Sequence, residues 1–377
     1  MTDSKYIRIC DQIVKAISSG ELKAGERLPG ERRIAEQYGV SHMTARRAVG
    51  ELVTMGFVQR SNRSGTFVCG VRDGGPGVIT LNVICLGFGE PTHSLIRHAK
   101  EHTAKQGWHL RVIQCHGLDE SEVIRIILSG HPSLILSDDA GLRGPIGKAA
   151  QQAGGRAVIV GNRLDWAGAP SVLCDDAKGM RLAMEHLMSH GHRRIGVVAQ
   201  KLEGYIEHVM IDTWRSCCTV FASADVQDRR LINVRVPRFE DATSYAFEAV
   251  RRRLVSRELD VTALVCLTDQ VAMGVLSACQ NTGYQVPEKM SIMSFGNTSL
   301  AAFVNPRVTS IDVDYGHHMA AAVEFVNSAL AGEYRRDDCL SLVDPRLVSG
   351  ATVAQCSSQN TNSEPVSAGF FRKGETS

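Results

Sequence analysis

The feature that most restricts this chain is an alternation that begins near residue 78 and runs almost to residue 296. An apolar run of strand length, ITLNVICLGF, leads to a helical stretch at 93–106. Then come HLRVIQC, a helix at 119–129, SLILS, a helix at 144–153 and AVIVGN. The runs are near-continuously apolar, as strands buried on both faces must be. Strand and helix in turn, at short intervals, specify a parallel α/β sheet. A second set follows: helix 176–189, RIGVVAQ at 194–200, a helix near 206–224, LINVRV, helix 241–256, ALVCLTD, helix 270–282 and SIMSF. Two consecutive sets predict two similar lobes. Open sheets of this kind bind ligands beyond the carboxyl ends of their strands. Two facing lobes therefore make a cleft that closes by hinge motion.

The first 70 residues obey another rule. Ile9, Ile13, Val14 and Ile17 have helical spacing over 5–19, with Ser4 as N-cap and Gly20 closing the helix. Pro29 ends one element. Gly30 can cap the next, helix 31–38, at a loss of a few tenths of a kcal/mol relative to the better cap Ser. Gly39 makes a tight turn, and helix 41–55 starts at Ser41 with Ala45, Ala48, Val49 and Leu52 inward. Two short helices about a glycine turn are the helix-turn-helix pattern. His42, Met43, Arg46 and Arg47 face outward near the start of the second helix, the end that enters a major groove in this motif. Arginine there can bond guanine bidentately. FVQR-SNRSG-TFV then reads as two strands about a polar turn, a wing offering Arg60 and Arg63 to phosphates.

Charge separates the parts. Residues 1–70 hold 11 Lys and Arg against 7 Asp and Glu, while the other 307 hold 31 against 33. A basic head on a near-neutral body fits a polyanion partner for the head alone. At ~100–200 residues per domain, 377 residues predict two or three domains. The usage, 44% apolar and 22% charged, is that of a globular protein. No apolar run reaches the ~20 residues that span a bilayer, and MTDSKYIRIC has no signal-peptide stretch, so a cytoplasmic protein is expected, nucleoid-associated when on DNA. The 11 Cys are scattered without a CxxC, which is neither a disulfide framework nor a zinc ribbon.

The head resembles the GntR family of winged-helix regulators over about 5–69. SGELKAGERLP, ERRIAEQYGVS, TARRAVGELVTMGFV and GTFV carry the likeness. In that family Arg32, the residue at 42 and Arg46 fall at base- or phosphate-contacting positions, and here His42 stands where Arg is usual. The candidate DNA-binding residues are Arg27, Arg32, Ser41, His42, Thr44, Arg46, Arg47, Arg60, Arg63 and Gly65.

The body, about 78–353, resembles the effector domain of LacI/GalR repressors, itself similar to periplasmic sugar-binding proteins. SVLCDDAKGMRLAMEHLMSHGHRRIGVVA, ALVCLTDQVAMGVLSACQNTGYQVPEKMSIMSFGNTSLAAF, NPRVTSIDVDYGHHMAAAVEFV and LVDPRLVSGATV carry that likeness. It implies a first lobe of 78–174 plus 312–338 and a second of 175–311 plus 339–353, crossed near 174, 311 and 339. A linker occupies 70–77 and a disordered tail 354–377. It also carries an effector set onto Asn162, Arg163, His208, Phe239, Thr268, Asp269 and Gly296. His208 stands where the family commonly has a sugar-binding Arg. Gly296 stands where it has an Asp, and Thr268 replaces an Asn. Losing the Arg and the Asp together points to an altered effector or none.

Other signals are weaker. GFG at 87–89 would need glycine where Thr92 stands, so the dinucleotide fingerprint fails. His98 and His102 are four apart, but with Glu101 they read as a solvated helix face rather than metal ligands. Cys217 and Cys218 point about 100° apart on a helix and read as partly buried thiols. No catalytic motif, cofactor or metal set is expected.

The expected fold is α/β: an N-terminal winged helix-turn-helix plus a two-lobed periplasmic-binding-protein-like domain with parallel sheets. The expected function is a homodimeric transcription regulator, by default a repressor. It binds double-stranded operator DNA under control of a small molecule, by default a carbohydrate. One alternative is a regulator with a degenerate pocket, acting through dimerisation or a protein partner. Another, of a different class, is a cytosolic solute-binding or enzymatic α/β protein.

Overall fold

The structure is a computed structural model of the 377-residue chain. It describes residues 6, 9–10, 12–13, 16–17, 21–23, 25–54, 58–61, 65–68, 78–86, 90–115, 119–136, 142, 144–200, 204–237, 240–337 and 339–356. The linker, 70–77, lies outside these.

In the head, Tyr6, Ile9, Cys10, Gln12, Ile13, Ala16 and Ile17 are helical, as the spacing predicts. Helix α1 is Glu31–Tyr38 and α2 is His42–Thr54; strands β1, Val58–Ser61, and β2, Gly65–Val68, form the antiparallel wing. Gly39 closes α1 with φ +60°, a left-handed conformation that an L side chain adopts only at a cost. Ile9, Ile13, Leu28, Ile34, Ala45, Ala48, Val49 and Leu52 form one buried core.

The body holds two six-stranded sheets. The first is built from β3 (Thr80–Cys85), β4 (His109–Gln114), β5 (Ser133–Leu136), β6 (Ala157–Val160), β7 (Ser171–Cys174) and β13 (Leu340–Val343). Its order is β13-β7-β6-β5-β3-β4 and every pairing is parallel. Helices α3 (Glu90–Gln106), α4 (Glu120–Ile127), α5 (Pro145–Ala153) and α12 (Tyr315–Ala331) accompany it. All six positions of β3 are buried, and separate apolar clusters cover the two faces, which is why this strand reads as a continuous apolar run.

The second sheet is built from β8 (Ile195–Ala199), β9 (Leu231–Asn233), β10 (Ala263–Cys266), β11 (Ser291–Gly296), β12 (Thr309–Asp312) and β14 (Arg346–Val348). Its order is β14-β12-β11-β10-β8-β9, parallel except for β14 against β12. Its helices are α6 (Asp176–Ser189), α7 (Tyr205–Cys218), α8 (Ala224–Arg230), α9 (Ala242–Val255), α10 (Asp269–Asn281) and α11 (Ser299–Phe303). Asp175, Asp241 and Thr268 cap α6, α9 and α10 by accepting from backbone N–H groups, each cap contributing about 1 kcal/mol. α9 packs unusually close to α10: a Cβ at Gly274 would lie 2.3 Å from the Thr243 carbonyl oxygen.

Three expectations need correction. The helix placed near 206–224 ends at Cys218 and a separate helix begins at Ala224. Gln227 donates to the Arg215 carbonyl, an acceptor that the end of α7 leaves over, and to the Ala222 carbonyl of the connecting loop. Residues 339–353 do not all join the second lobe. β13 pairs with β7 from Leu340↔Ser171 to Val343↔Cys174, so the third crossing falls at Asp344–Pro345 rather than near 339. Proline has no N–H with which to continue a ladder. Finally, the body continues past 353: Ala354 N donates to Ser291 Oγ at 3.1 Å and Cys356 N to the His190 carbonyl at 2.8 Å. Of the tail expected at 354–377, residues 357–377 lie outside the described ones.

Candidate DNA-reading face and effector cleft

Ser41 caps α2. Its Oγ accepts from Thr44 N at 3.2 Å and shares a 2.8 Å hydrogen bond with Thr44 Oγ1, so both hydroxyls serve the helix start. Glu31, at the first position of α1, binds in two directions. One oxygen accepts from Arg60 Nη2 of the wing at 2.7 Å, and the other lies 3.5 Å from His42 Nε2 of α2. One carboxylate thus ties α2 to the wing. The sequence reading missed Glu31; an acid opening a helix amid a basic face was its only signal.

The arginines differ in what they touch. Arg32 and Arg46 are exposed and have no protein partner among the described residues. Arg47 lies over the Tyr6 ring at 4.1 Å, a cation–π contact that anchors α2 to the first helix. Arg27 bridges Phe67 of the wing, and its side chain crosses Gly65, where a Cβ would come within 2.7 Å of Nε. Gly65 is needed there for space and for φ +115°. Arg63 lies outside the described residues.

In the body the chain crosses between lobes after β7, after β12 and at 344–345. Carboxylates crowd this hinge. Arg346 reaches Asp312 at 3.1 Å and Asp314 at 3.0 Å, and His317 Nδ1 lies 2.7 Å from Asp314. Burial alone would raise the Asp314 carboxyl, but the His317 bonds and the Arg346 charge bring it below its usual value. Asp176 is pushed up to about 8, by burial first and then by the charges of Glu207 and Asp175.

Beside the hinge opens a cleft of about 220 Å³. α3 contributes Ser94, Arg97 and His98; the loop after β11 contributes Asn297 and Thr298; Asp312, Asp314 and Tyr315 form its floor. His98, whose spacing suggests a solvated helix face, lies on the open wall of this cleft. Asn297 and Asp314 both have φ +51°, a conformation that asparagine and aspartate tolerate best among non-glycine residues.

Of the described residues carried over as effector contacts, Gly296 alone lines this cleft. Asn162 Oδ1 accepts from Arg163 N at 2.7 Å. Arg163 makes a two-pronged pair with Asp165, both bonds 2.8 Å, and donates from Nη1 to Tyr205 OH at 2.9 Å. The Arg163 bond holds the Asp165 carboxyl below its usual value. Arg163 belongs to the first lobe and Tyr205 to the second, so this contact spans them. His208 is exposed on α7. Thr268 caps α10 and accepts from Gln200 Nε2 at 2.9 Å. Asp269 is buried, accepting from Ser294 Oγ and from both N and Oγ1 of Thr298. Burial raises its carboxyl against the pull of those bonds. Gly296 is bound to this arrangement: its φ is +128°, and a Cβ there would lie 2.8 Å from Asp269 Oδ2. Phe239 lies outside the described residues. No cluster able to hold a metal occurs among the described residues, and none of their helices is long and apolar enough to cross a membrane.

Comparison with known proteins agrees with both parts. Residues 5–68 match the bacterial regulatory proteins of the gntR family, and 184–353 match the periplasmic binding protein-like domain. An arabinose metabolism transcriptional repressor of Geobacillus stearothermophilus is 27% identical over 334 residues, covering 81% of this chain and 86% of its own. The regulator MalR of Streptomyces coelicolor is 30% identical over 152 residues, which is 38% of this chain and 40% of its own. A LacI family regulator from Enterococcus faecium, solved with bound ribose, has a TM-score of 0.61 at 18% identity, covering 74% of this chain and 100% of its own. The chain thus joins a head that matches the gntR family to a body that matches the periplasmic binding protein-like domain over 184–353 and shares the fold of LacI family regulators, and its relatives are transcriptional regulators.

Proposed function

We propose that the chain acts in the cytoplasm as a dimeric repressor, its operator affinity set by a small hydroxyl-rich molecule between the two lobes. The head's part rests on Arg46, exposed on the groove-entering end of α2 with no protein partner among the described residues. Arg32, His42 and Arg60 join it, the last two released from Glu31 as DNA phosphates compete for them. Arg47 and Arg27 hold the head together rather than read DNA, and Ser41 and Thr44 secure the helix start.

The observation that carries the effector half is the cleft itself, walled by α3 of one lobe and the 296–298 loop of the other. A ligand touching both walls favours one lobe arrangement by its differential affinity, and the coupling is reciprocal. The arabinose metabolism repressor and the regulator solved with ribose support a carbohydrate-like effector. Two heads on a two-fold dimer read half-sites ~34–36 Å apart or multiples of that.

Operator binding by Arg46→Ala, followed by fluorescence anisotropy at fixed salt, should weaken by ~1–3 kcal/mol. Unchanged specific binding by a folded variant removes α2 as the reading element.

A further inference from the structure

The two ends of the interlobe region differ in what their polar groups are already doing. At the Arg163 end the guanidinium is committed to Asp165 and Tyr205, and one oxygen of Asn162 to a backbone N–H. At the other end, in the cleft, two side chains have no partner among the described residues and a third has only a long bond to its neighbour. Ser94 is 7% exposed and its hydroxyl makes no hydrogen bond among the described residues. The Asn297 side-chain amide makes none, and its backbone is held at φ +51° with its N–H donated to Ser310 Oγ. Arg97 touches only the neighbouring His98, at 3.5 Å, and pairs with no carboxylate. Glu101, one turn on, sits on His98 instead, at 3.2 Å. The acids of the cleft already have partners: Asp312 and Asp314 share Arg346, and His317 bonds Asp314. Arg97 is therefore the arginine lining the cleft that no carboxylate holds among the described residues. Guanidinium forks bind carboxylate and phosphate groups by paired charge-assisted bonds. The cleft, about 220 Å³, is below the ~300–1,000 Å³ of sites for drug-sized ligands, so its occupant is of monosaccharide size.

We infer that the effector is a hydroxylated acid of monosaccharide size, its carboxylate or phosphate read by Arg97 and its hydroxyls by Ser94 and Asn297. The carboxylates of Asp312 and Asp314, each with lone pairs left over, accept from the remaining hydroxyls. The inference rests on the effector-cleft reading above and names its ligand class.

The test is calorimetric titration of the full chain with matched sets: pentose and pentonate; hexose, hexonate, hexuronate and hexose 6-phosphate. The inference expects at least one acid to bind ten-fold or more tightly than its neutral partner. Arg97→Gln should abolish that preference, and Asn297→Ala should weaken acid and neutral ligands alike. The carboxylate and phosphate arms tell the two anion sources apart. A neutral sugar binding as well as its acid overturns the ligand class; if Asn297→Ala weakens that sugar, the cleft reading survives. Binding unaffected by either variant overturns the cleft reading itself. Silence from every acid, in a chain that unfolds cooperatively, overturns the inference.

Discussion

The Arg163–Tyr205 contact joins the lobes through side chains outside the hinge strands, so its strength bears on how far the lobes rest closed. Tyr205→Phe deletes one hydroxyl and keeps the ring. The lost bond has a charged donor, a class worth ~1.5–3 kcal/mol. The Arg163 side chain is 33% exposed, so water competes for it and the loss falls at or just below the bottom of that range. The ring remains 5.4 Å from the guanidinium carbon, keeping ~0.5–1 kcal/mol of cation–π attraction. A loss of about 1–1.5 kcal/mol is expected, roughly ten-fold in the lobe equilibrium. Arg163→Gln alone also breaks the Asp165 pair, so single variants mix two effects. A double-mutant cycle on urea unfolding, Tyr205→Phe against Arg163→Gln, isolates the pair. The cycle should return a coupling of about 1 kcal/mol, with the variants' solution scattering shifted toward a more open body. A coupling below ~0.3 kcal/mol is additivity and refutes the idea that this pair holds the lobes.

Three further outcomes follow from packing and burial. Gly296→Asp, which restores the residue usual in the LacI/GalR kind, should destabilise the body by about 2 kcal/mol or more, seen as a lower thermal midpoint, because left-handed strain and the clash with Asp269 add. Gly274→Val should cost ~1–3 kcal/mol by forcing α9 from α10; an unchanged midpoint would mean the helices separate freely. His192, buried between Thr262 Oγ1, Ser291 Oγ and the Ala354 carbonyl, is held below its usual value, chiefly by burial. The unfolded state then takes the proton first, so stability is full above the unfolded value of ~6.5 and falls as pH drops through that value toward the folded one. Thermal midpoints at pH 7.5 and 5.5 should show this loss, and His192→Gln should lessen it.

Much of the fold is legible because its signals are local. Fully buried runs such as TLNVIC and AVIV announce a parallel sheet, and Ser41, Asp175, Asp241 and Thr268 announce helix starts. What fails is information carried by distant partners. Leu340–Val343 reads as a strand, but only its pairing with Ser171–Cys174 assigns it to a lobe. The effector set transfers poorly for the same reason. Asp269 looks like a ligand contact by position, yet Ser294, Thr298 and Ser310 surround it, and Gly296 is glycine because that carboxylate fills its space. Arg163 looks available until Asp165, two residues on, and Tyr205, 42 residues on, take its donors. Ser94, Arg97 and Asn297 carry no motif; only the meeting of two lobes brings them into one cleft.

The late return of the chain to both sheets has a consequence for how the protein is made. β13 and β14 are edge strands of the two lobes, and residues through Cys356 still bind His190 and His192. Neither lobe can be completed until almost the whole chain has left the ribosome. The head needs only its first ~70 residues, and domains fold as units from the N-terminus during synthesis. At ~5–20 residues per second, a nascent chain carries a finished DNA-binding head for on the order of 15–60 s before its sensing body exists. During that interval the newborn chain carries its head with neither the interlobe cleft nor the completed lobes.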